Sequence, residues 1–221
     1  MRSRSRYTVL SSVRRVEKAI IDKAQNLFDV VGVVSHSGES FLILGLLTTP
    51  QRDLDNFFRD SRRSFRLRGF ELHAQPKLET LINFIQEHGL TAELQGQCGY
   101  PQGGDLNLKQ QAVIAGLGKW GKNSLVVHPS FGPWLRFMAI KVQAPLMPTG
   151  PGIDNHEKNP LCEGCTACID ACLVGVLEPY YLRDRSNCQA SVSLYPQMGK
   201  LVVCDCCLMA CPIGRQEGLL E

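Results

Sequence analysis

Between residues 13 and 28 the apolar side chains return every three or four positions. Val13, Val16, Ala19, Ile20, Ala24 and Leu27 fall on one stripe, and that period predicts an amphipathic helix. Residues 77–89, "KLETLINFIQEHG", repeat the pattern and end on Gly89, a helix stop. A third helix is expected over 106–116, "LNLKQQAVIAG". Two shorter stretches, "DVVGVVS" (29–35) and "FLILGLL" (41–47), are apolar almost throughout and read as buried strands. "SLVVH" (124–128) and "WLRFMAIKV" (134–142) add further strands. Helices and strands interleave, so the first 145 residues are α/β or α+β.

The pattern breaks over 145–160. "PLMPTGPGIDNHEKNP" carries four prolines and two glycines, a composition that favours neither helix nor strand. A domain boundary is expected there, with one unit over 1–145 and a second over 146–221. The whole chain has 221 residues, 44% of them hydrophobic, and a net charge of +3, an ordinary globular composition. The longest apolar run falls far short of the ~20 residues that span a bilayer. The Arg-rich opening has no apolar core of a secretory signal. A cytoplasmic location without a membrane partner is the expectation, and thiols stay reduced there.

The thiols are crowded. Nine of the ten cysteines lie between 162 and 211, leaving Cys98 alone upstream as a small apolar residue. "CEGCTACIDAC" places Cys162, Cys165, Cys168 and Cys172 in a C-x2-C-x2-C-x3-C run. In two-cluster ferredoxins the fourth cysteine of such a run ligates the other cluster, so a second group must return the favour. That group is Cys188, then Cys204, Cys207 and Cys211 with Pro212 after the last. Eight ligands then make two [4Fe–4S] centres: Cys162, Cys165, Cys168 and Cys211 for cluster A, and Cys172, Cys188, Cys204 and Cys207 for cluster B. Cys206 is surplus, although an exchange of Cys206 for Cys204 stays open. Zinc is the alternative, because C-x2-C pairs also build four-thiolate zinc sites.

"AGLGKWGKNS" contains Gly116, Gly118 and Gly121 as a literal G-x-G-x-x-G. A dinucleotide fingerprint needs a strand before the glycines, a helix after them and an acid downstream. Here a helix precedes and a strand follows, and no Asp or Glu occurs from Lys119 through Gly152. Nicotinamide binding is excluded. What is left is either a helix stop at Gly116 followed by a tight turn, or a turn lying against a flat ligand.

Residues 112–140, "AVIAGLGKWGKNSLVVHPSFGPWLRFMAI", resemble the signature block of the epoxyqueuosine reductase family, as do "GVLEPYYLRDRSNC" and the closing "CDCCLMACP". The resemblance covers about residues 100 to 213. It implies an α+β fold with a nitroreductase-like N-terminal domain related to reductive dehalogenases, followed by a ferredoxin-like domain with two [4Fe–4S] clusters. It implies cobalamin between the domains, fed with electrons by the clusters and supplied by a low-potential donor. Gly116, Gly118, Gly121, Lys122, Asn123 and Ser124 are then expected near the corrinoid. The family's proton-donating Asp falls on Gln102 by count. Asp105 is the nearest acid and reads as a helix N-cap; Tyr100 and His128 are the other candidate donors, His128 also fitting a strand end with a satisfied ring. Leu173 stands where the family carries Pro after the fourth cysteine. These departures suggest a compact paralogue with its own substrate, tRNA or a small molecule.

Charge adds little. "RDSRRSFRLR" (59–68) holds five arginines and reads as a solvated helix face or a phosphate-binding patch. Phe57, Phe58 and Phe65 beside it suit a core as well as base stacking. The rival to a corrinoid-dependent reductase is an electron carrier, a two-cluster module with a docking domain and no chemistry of its own.

Overall fold

The computed structural model describes residues 3–36, 39–59, 65–96, 106–184, 187–188, 196–197, 200–201 and 204–214. Its first half runs α1 (Ser3–Leu27), β1 (Val30–His36), β2 (Glu39–Leu47), β3 (Phe57–Arg59), β4 (Phe65–Leu67), α2 (Arg68–His73), α3 (Gln75–Glu87) and β5 (Ala92–Gly96). Then come α4 (Leu108–Ile114), β6 (Lys119–Trp120), β7 (Val126–Val127) and β8 (Leu135–Val142). The cysteine-rich part adds a 3-10 turn (Pro160–Cys162), α5 (Ala167–Asp170), β9 (Leu177–Glu178), β10 (Tyr181–Leu182), β11 (Pro196–Gln197), β12 (Lys200–Leu201) and α6 (Cys206–Met209).

The main sheet has the order β1-β2-β8-β5, with every pair antiparallel. Side chains alternate across a strand, and both faces of β2 and β8 are covered, which is why these strands read as unbroken apolar runs. Leu42, Leu44, Leu46, Met138 and Ile140 meet Ile20 and Ala24 of α1 and Leu81 and Ile85 of α3. The odd-numbered positions Ile43, Leu135, Phe137 and Ala139 face Ala112, Val113 and Ile114 of α4. Helix α3 ends as its sequence requires. Gly89 takes φ +78, its N–H reaches Gln86 O at 2.9 Å and Leu90 N reaches Ile85 O at 3.4 Å, the two bonds of a Schellman stop.

Three expectations need correction. Helix α4 is capped by Asn107, whose side-chain oxygen accepts from Gln110 N at 3.2 Å; Asp105, read as the cap, lies outside the described residues and two positions before the helix turns. The arginine run is not a helix face along its length: Phe57–Arg59 and Phe65–Leu67 are paired strands, and only Arg68 opens a helix. Of the three aromatic residues there, Phe58 is half-buried. A second sheet, β11-β12-β3-β4, went unread because its strands are two or three residues long, too short for a period to show. It joins residues 57–67 to residues 196–201, so the early and late parts of the chain share a sheet.

The proline-rich segment has no regular helix or strand through 143–157, yet it is tied down. Thr149 lies along the open edge of β1: its N–H reaches Val33 O at 3.2 Å, and its Oγ1 accepts from Val33 N at 2.9 Å and donates to Ala115 O at 2.8 Å. Leu146, buried, donates its N–H to Ser40 Oγ at 2.8 Å and accepts from Ser35 Oγ at 2.9 Å. The segment thus covers a strand edge that would otherwise be exposed to pairing. Replacing Thr149 by Val removes both hydroxyl bonds, and we expect about 1–3 kcal/mol of stability to be lost, with Thr149→Ser close to wild type. Anaerobic urea unfolding followed by tryptophan fluorescence measures both.

Candidate iron–sulfur site

The cysteines are placed by short local structure. Asn159, buried, accepts from Leu161 N at 3.0 Å through its side-chain oxygen and donates through its amide to Val127 O at 3.3 Å. It therefore starts the turn that ends at Cys162 and moors that turn on β7. Cys165 N reaches Cys162 O at 3.2 Å, Cys168 sits inside α5, and Cys172 N closes on Ile169 O at 3.0 Å. Helix α6 packs against α5 and carries Cys206 and Cys207; Cys211 N returns to Leu208 O at 3.0 Å. One cavity is lined by Cys162, Cys165, Cys168 and Cys211 together, so the last cysteine of the chain stands beside the first three of the run. No described cysteine is in a disulfide.

Electrostatics reveal the same grouping. Burial, then the neighbouring Cys211 and Cys162, push the Cys168 thiol up to about 11. Burial, then Cys188, Cys204, Cys168 and Cys172, push Cys207 up to about 12. Cys207 thus feels the four thiols around it, and Cys168 belongs to one group while touching the field of the other. Cys172 moves the opposite way: burial raises it, but the backbone N–H groups of Val176, Leu177, Val174 and Gly175 outweigh that and lower its pKa. Cys206 is raised by burial and by its side-chain hydrogen bond to Cys204. Among the described residues, no three His, Cys, Asp or Glu side chains are gathered closely enough to hold a metal ion, zinc or iron.

The glycine turn has a different use from the flat-ligand alternative. Gly116, at φ +77, stops α4 through bonds from Gly116 N to Val113 O at 2.9 Å and from Leu117 N to Ala112 O at 2.8 Å. A Cβ on Gly118 would meet Val126 Cγ1 at 2.7 Å, and one on Gly121 would meet Val127 Cγ2 at 2.4 Å. The glycines let β6 fold onto β7, so their close approach is taken up by protein. Lys122 and Asn123 line the cysteine cavity instead. Lys122 Nζ donates to Cys165 O at 2.9 Å, and Lys122 O accepts from Tyr180 N at 3.2 Å. Ser124, at φ +62, donates its hydroxyl to Tyr180 O at 3.5 Å. Tyr180 is itself raised by burial, then by Cys162, Glu163 and Cys168, which places its phenol beside the first cysteine group.

Tyr100, Gln102 and Asp105, the expected neighbourhood of a proton donor, lie outside the described residues, as does Cys98. His128 is a turn residue. Its Nδ1 accepts from Ser130 N at 3.1 Å and Phe131 N at 3.2 Å, and backbone bonds at 2.8 and 2.9 Å close residues 128–132. A contact the sequence did not disclose fixes Cys211 from this side. A Cβ on Gly132 would fall 1.9 Å from Ile213 O, and one on Gly214 would fall 2.3 Å from Gly132 N. The 128–132 turn thus lies directly on the segment that follows Cys211. Both glycines have positive φ, but isolated glycines 82 residues apart carry no signal that they touch.

No protein-family model matches the chain. It is 27% identical over 183 residues to the epoxyqueuosine reductase of Cyclobacterium marinum, a match covering 75% of this chain and 55% of the relative. The chain thus spans about half the length of that relative. An epoxyqueuosine reductase solved with an epoxyqueuosine-modified tRNA stem loop superposes with a TM-score of 0.65 at 17% identity, covering 94% of this chain and 67% of that one. A reductive dehalogenase solved in connection with B12-dependent dehalogenation superposes at 0.64 with 14% identity, over 90% of this chain and 32% of its own. The mixed α and β architecture is common to all three.

Burial lowers the His128 pKa from its usual 6.5, and a proton on Nδ1 would break two backbone bonds. The sign follows: the stabilisation is fully present above pH 6.5 and is lost as pH falls through the folded-state value. Anaerobic unfolding between about pH 7.5 and 5 is therefore expected to show a loss of stability that His128→Asn abolishes. An equal slope in both proteins contradicts this role.

Proposed function

We propose, for a chain whose sequence and fold make it a relative of the epoxyqueuosine reductases, that it is an iron–sulfur oxidoreductase passing electrons through two [4Fe–4S] clusters to a corrinoid-type site. The observation that carries the reading is the cavity in which Cys211 joins Cys162, Cys165 and Cys168. Two segments more than forty residues apart supply one four-thiol set, the exchange that a pair of interlaced clusters demands. Cys172, Cys188, Cys204 and Cys207 form the second set, supported by the thiols that surround Cys207. Cys204 is assigned to it in place of Cys206 because Cys204, Cys207 and Cys211 keep the C-x2-C-x3-C spacing.

When bound, the clusters supply one-electron transfer and a corrinoid supplies a reduced cobalt able to act on a C–O or C–X bond. The chain's own residues do the rest. Cys162 and Cys168 are buried, as is Cys211, and exclude water from the first set. Lys122 ties the turn of residues 121–124 to the first cysteine loop, and Asn159 ties that loop to β7. Residues 1–145 then act as a nitroreductase-like unit and 146–221 as a ferredoxin-like one. The corrinoid rests on kinship with the B12-dependent fold. Of the glycines expected near it, Gly118 and Gly121 pack on Val126 and Val127, and Gly116 on Gly150.

The partners follow from this reading: a low-potential electron donor, and a tRNA or a small molecule as substrate. The tRNA alternative is supported by the relative solved with a stem loop and by exposed Arg66 and Arg68. A cytoplasmic setting suits reduced thiols. Among the described residues no helix is long and apolar enough to cross a membrane.

Anaerobic reconstitution is expected to yield brown protein with about eight iron atoms per chain, as two [4Fe–4S] centres require. Cys204→Ser should lose about half of that iron, and Cys206→Ser none. Colourless protein with zinc on metal analysis defeats the reading. Titration of the reconstituted protein with cob(II)alamin separates reductase from electron carrier. A shifted corrinoid spectrum with saturable, stoichiometric binding is expected; no shift at any concentration leaves the carrier.

A further inference from the structure

We infer that Lys122 is the cation that sets the redox poise of the cluster held by Cys162, Cys165, Cys168 and Cys211, rather than a contact for a cofactor at the glycine turn. The inference rests on the two-cluster reading above and deepens it by assigning a residue that the cysteine pattern does not include.

Among the described residues lining the cavity, Lys122 is the one with a basic side chain; the cysteines apart, its companions include Asn123, Val127, Leu161 and Ile213. Its ammonium is not free to wander. Nζ donates to Cys165 O at 2.9 Å, inside the loop that carries three of the four thiols. Its backbone is held from the opposite side, where its carbonyl accepts from Tyr180 N at 3.2 Å. The turn beneath it is closed by Gly121 N on Leu125 O at 2.8 Å and Ser124 N on Gly121 O at 2.9 Å. Gly121 is required there, since a Cβ would run into Val127. The nearby Lys158 is outside the cavity lining, its Nζ 4.9 Å from the centre of the Tyr180 ring.

A four-thiolate [4Fe–4S] centre gains one negative charge on reduction, from about −2 to about −3, and its potential follows the charge and hydrogen bonding around it. A cation fixed on the cavity wall stabilises the reduced form more than the oxidised one. Lys122 is half-buried with apolar Val127 and Leu161 beside it, so its field is screened less than that of a surface lysine. Lys122 thereby raises the potential of the first cluster.

Lys122→Gln keeps an N–H donor for Cys165 O and removes the charge; Lys122→Arg keeps both. The reconstituted full chain is titrated anaerobically, with the reduced clusters followed by EPR. In Lys122→Gln one of the two one-electron steps should move to lower potential by at least about tenfold in the reduced-to-oxidised ratio, about 59 mV, while the other stays in place. Lys122→Arg should titrate with wild type. Full iron content with both steps unmoved in Lys122→Gln overturns the inference. So does Lys122→Arg falling as far as Gln. If Lys122→Gln fails to retain iron, the Arg variant decides alone, a wild-type potential supporting the role and a lowered one overturning it. Failure of the cluster reading itself is visible earlier, as wild-type protein that takes up no iron.

Discussion

Cys162, Cys168 and Cys211 are buried and line one cavity with Cys165, and thiols so close cannot all ionise together without a counter-charge. Cys168 is pushed up to about 11 and Cys207 to about 12 by burial and by one another's neighbours. A fold that gathers thiols against that cost must offset it, and in the proposed function iron would do so, since a metal takes its ligands as thiolates and releases their protons. The rest of the cysteine-rich part follows from this requirement. Cys211 has to come back to the loop of Cys162, Cys165 and Cys168, so α6 must pack on α5. The chain after Cys211 must also be held. It is held by contact between the backbones of Gly132 and Gly214, a fit that no side chain permits.

The β6–β7 pair and the turns around it serve that arrangement. The turn after β7 carries His128 and Gly132 onto the segment following Cys211. The turn before β7 carries Lys122 onto Cys165, and the peptide ahead of the 3-10 turn is stitched to β6. There Trp120 N reaches Glu157 O at 3.1 Å, Asn159 N reaches Trp120 O at 2.8 Å, and the Trp120 indole donates to the Asp154 carboxylate. Near α6, Arg136 of β8 grips Asp55 with two bonds. That pair also reaches Asp205: burial, then Asp55, raise its pKa, and Arg136 pulls it down. Each of these contacts joins a rigid strand end to the cysteine loops, which have little regular structure of their own.

Periodicity made the core legible. "FLILGLL" and "WLRFMAIKV" are β2 and β8, and the helix expected over 77–89 is α3 with its stop at Gly89. Strands of two or three residues leave no period, so β3, β4, β11 and β12 are invisible in the sequence, and Arg59 and Arg66 lie on strands rather than on the expected helix face. Asn107 and Asp105 are equally good caps by type; only the start of α4 distinguishes them. The cysteine spacing groups Cys211 with Cys162, Cys165 and Cys168, and these four line one cavity. The glycine motif pointed nowhere specific, because whether a missing Cβ admits a ligand or a neighbouring strand depends on what lies opposite, here Val126 and Val127. Lys122 and Asn123, expected near a corrinoid by resemblance, line the cysteine cavity.

Diffraction from anaerobically grown crystals at wavelengths on either side of the iron edge addresses the interlacing most directly. The account requires two separate clusters of anomalous density, one within bonding reach of Cys162, Cys165, Cys168 and Cys211, the other of Cys172, Cys188, Cys204 and Cys207. A single metal atom at either place, or density that Cys211 does not reach, contradicts it.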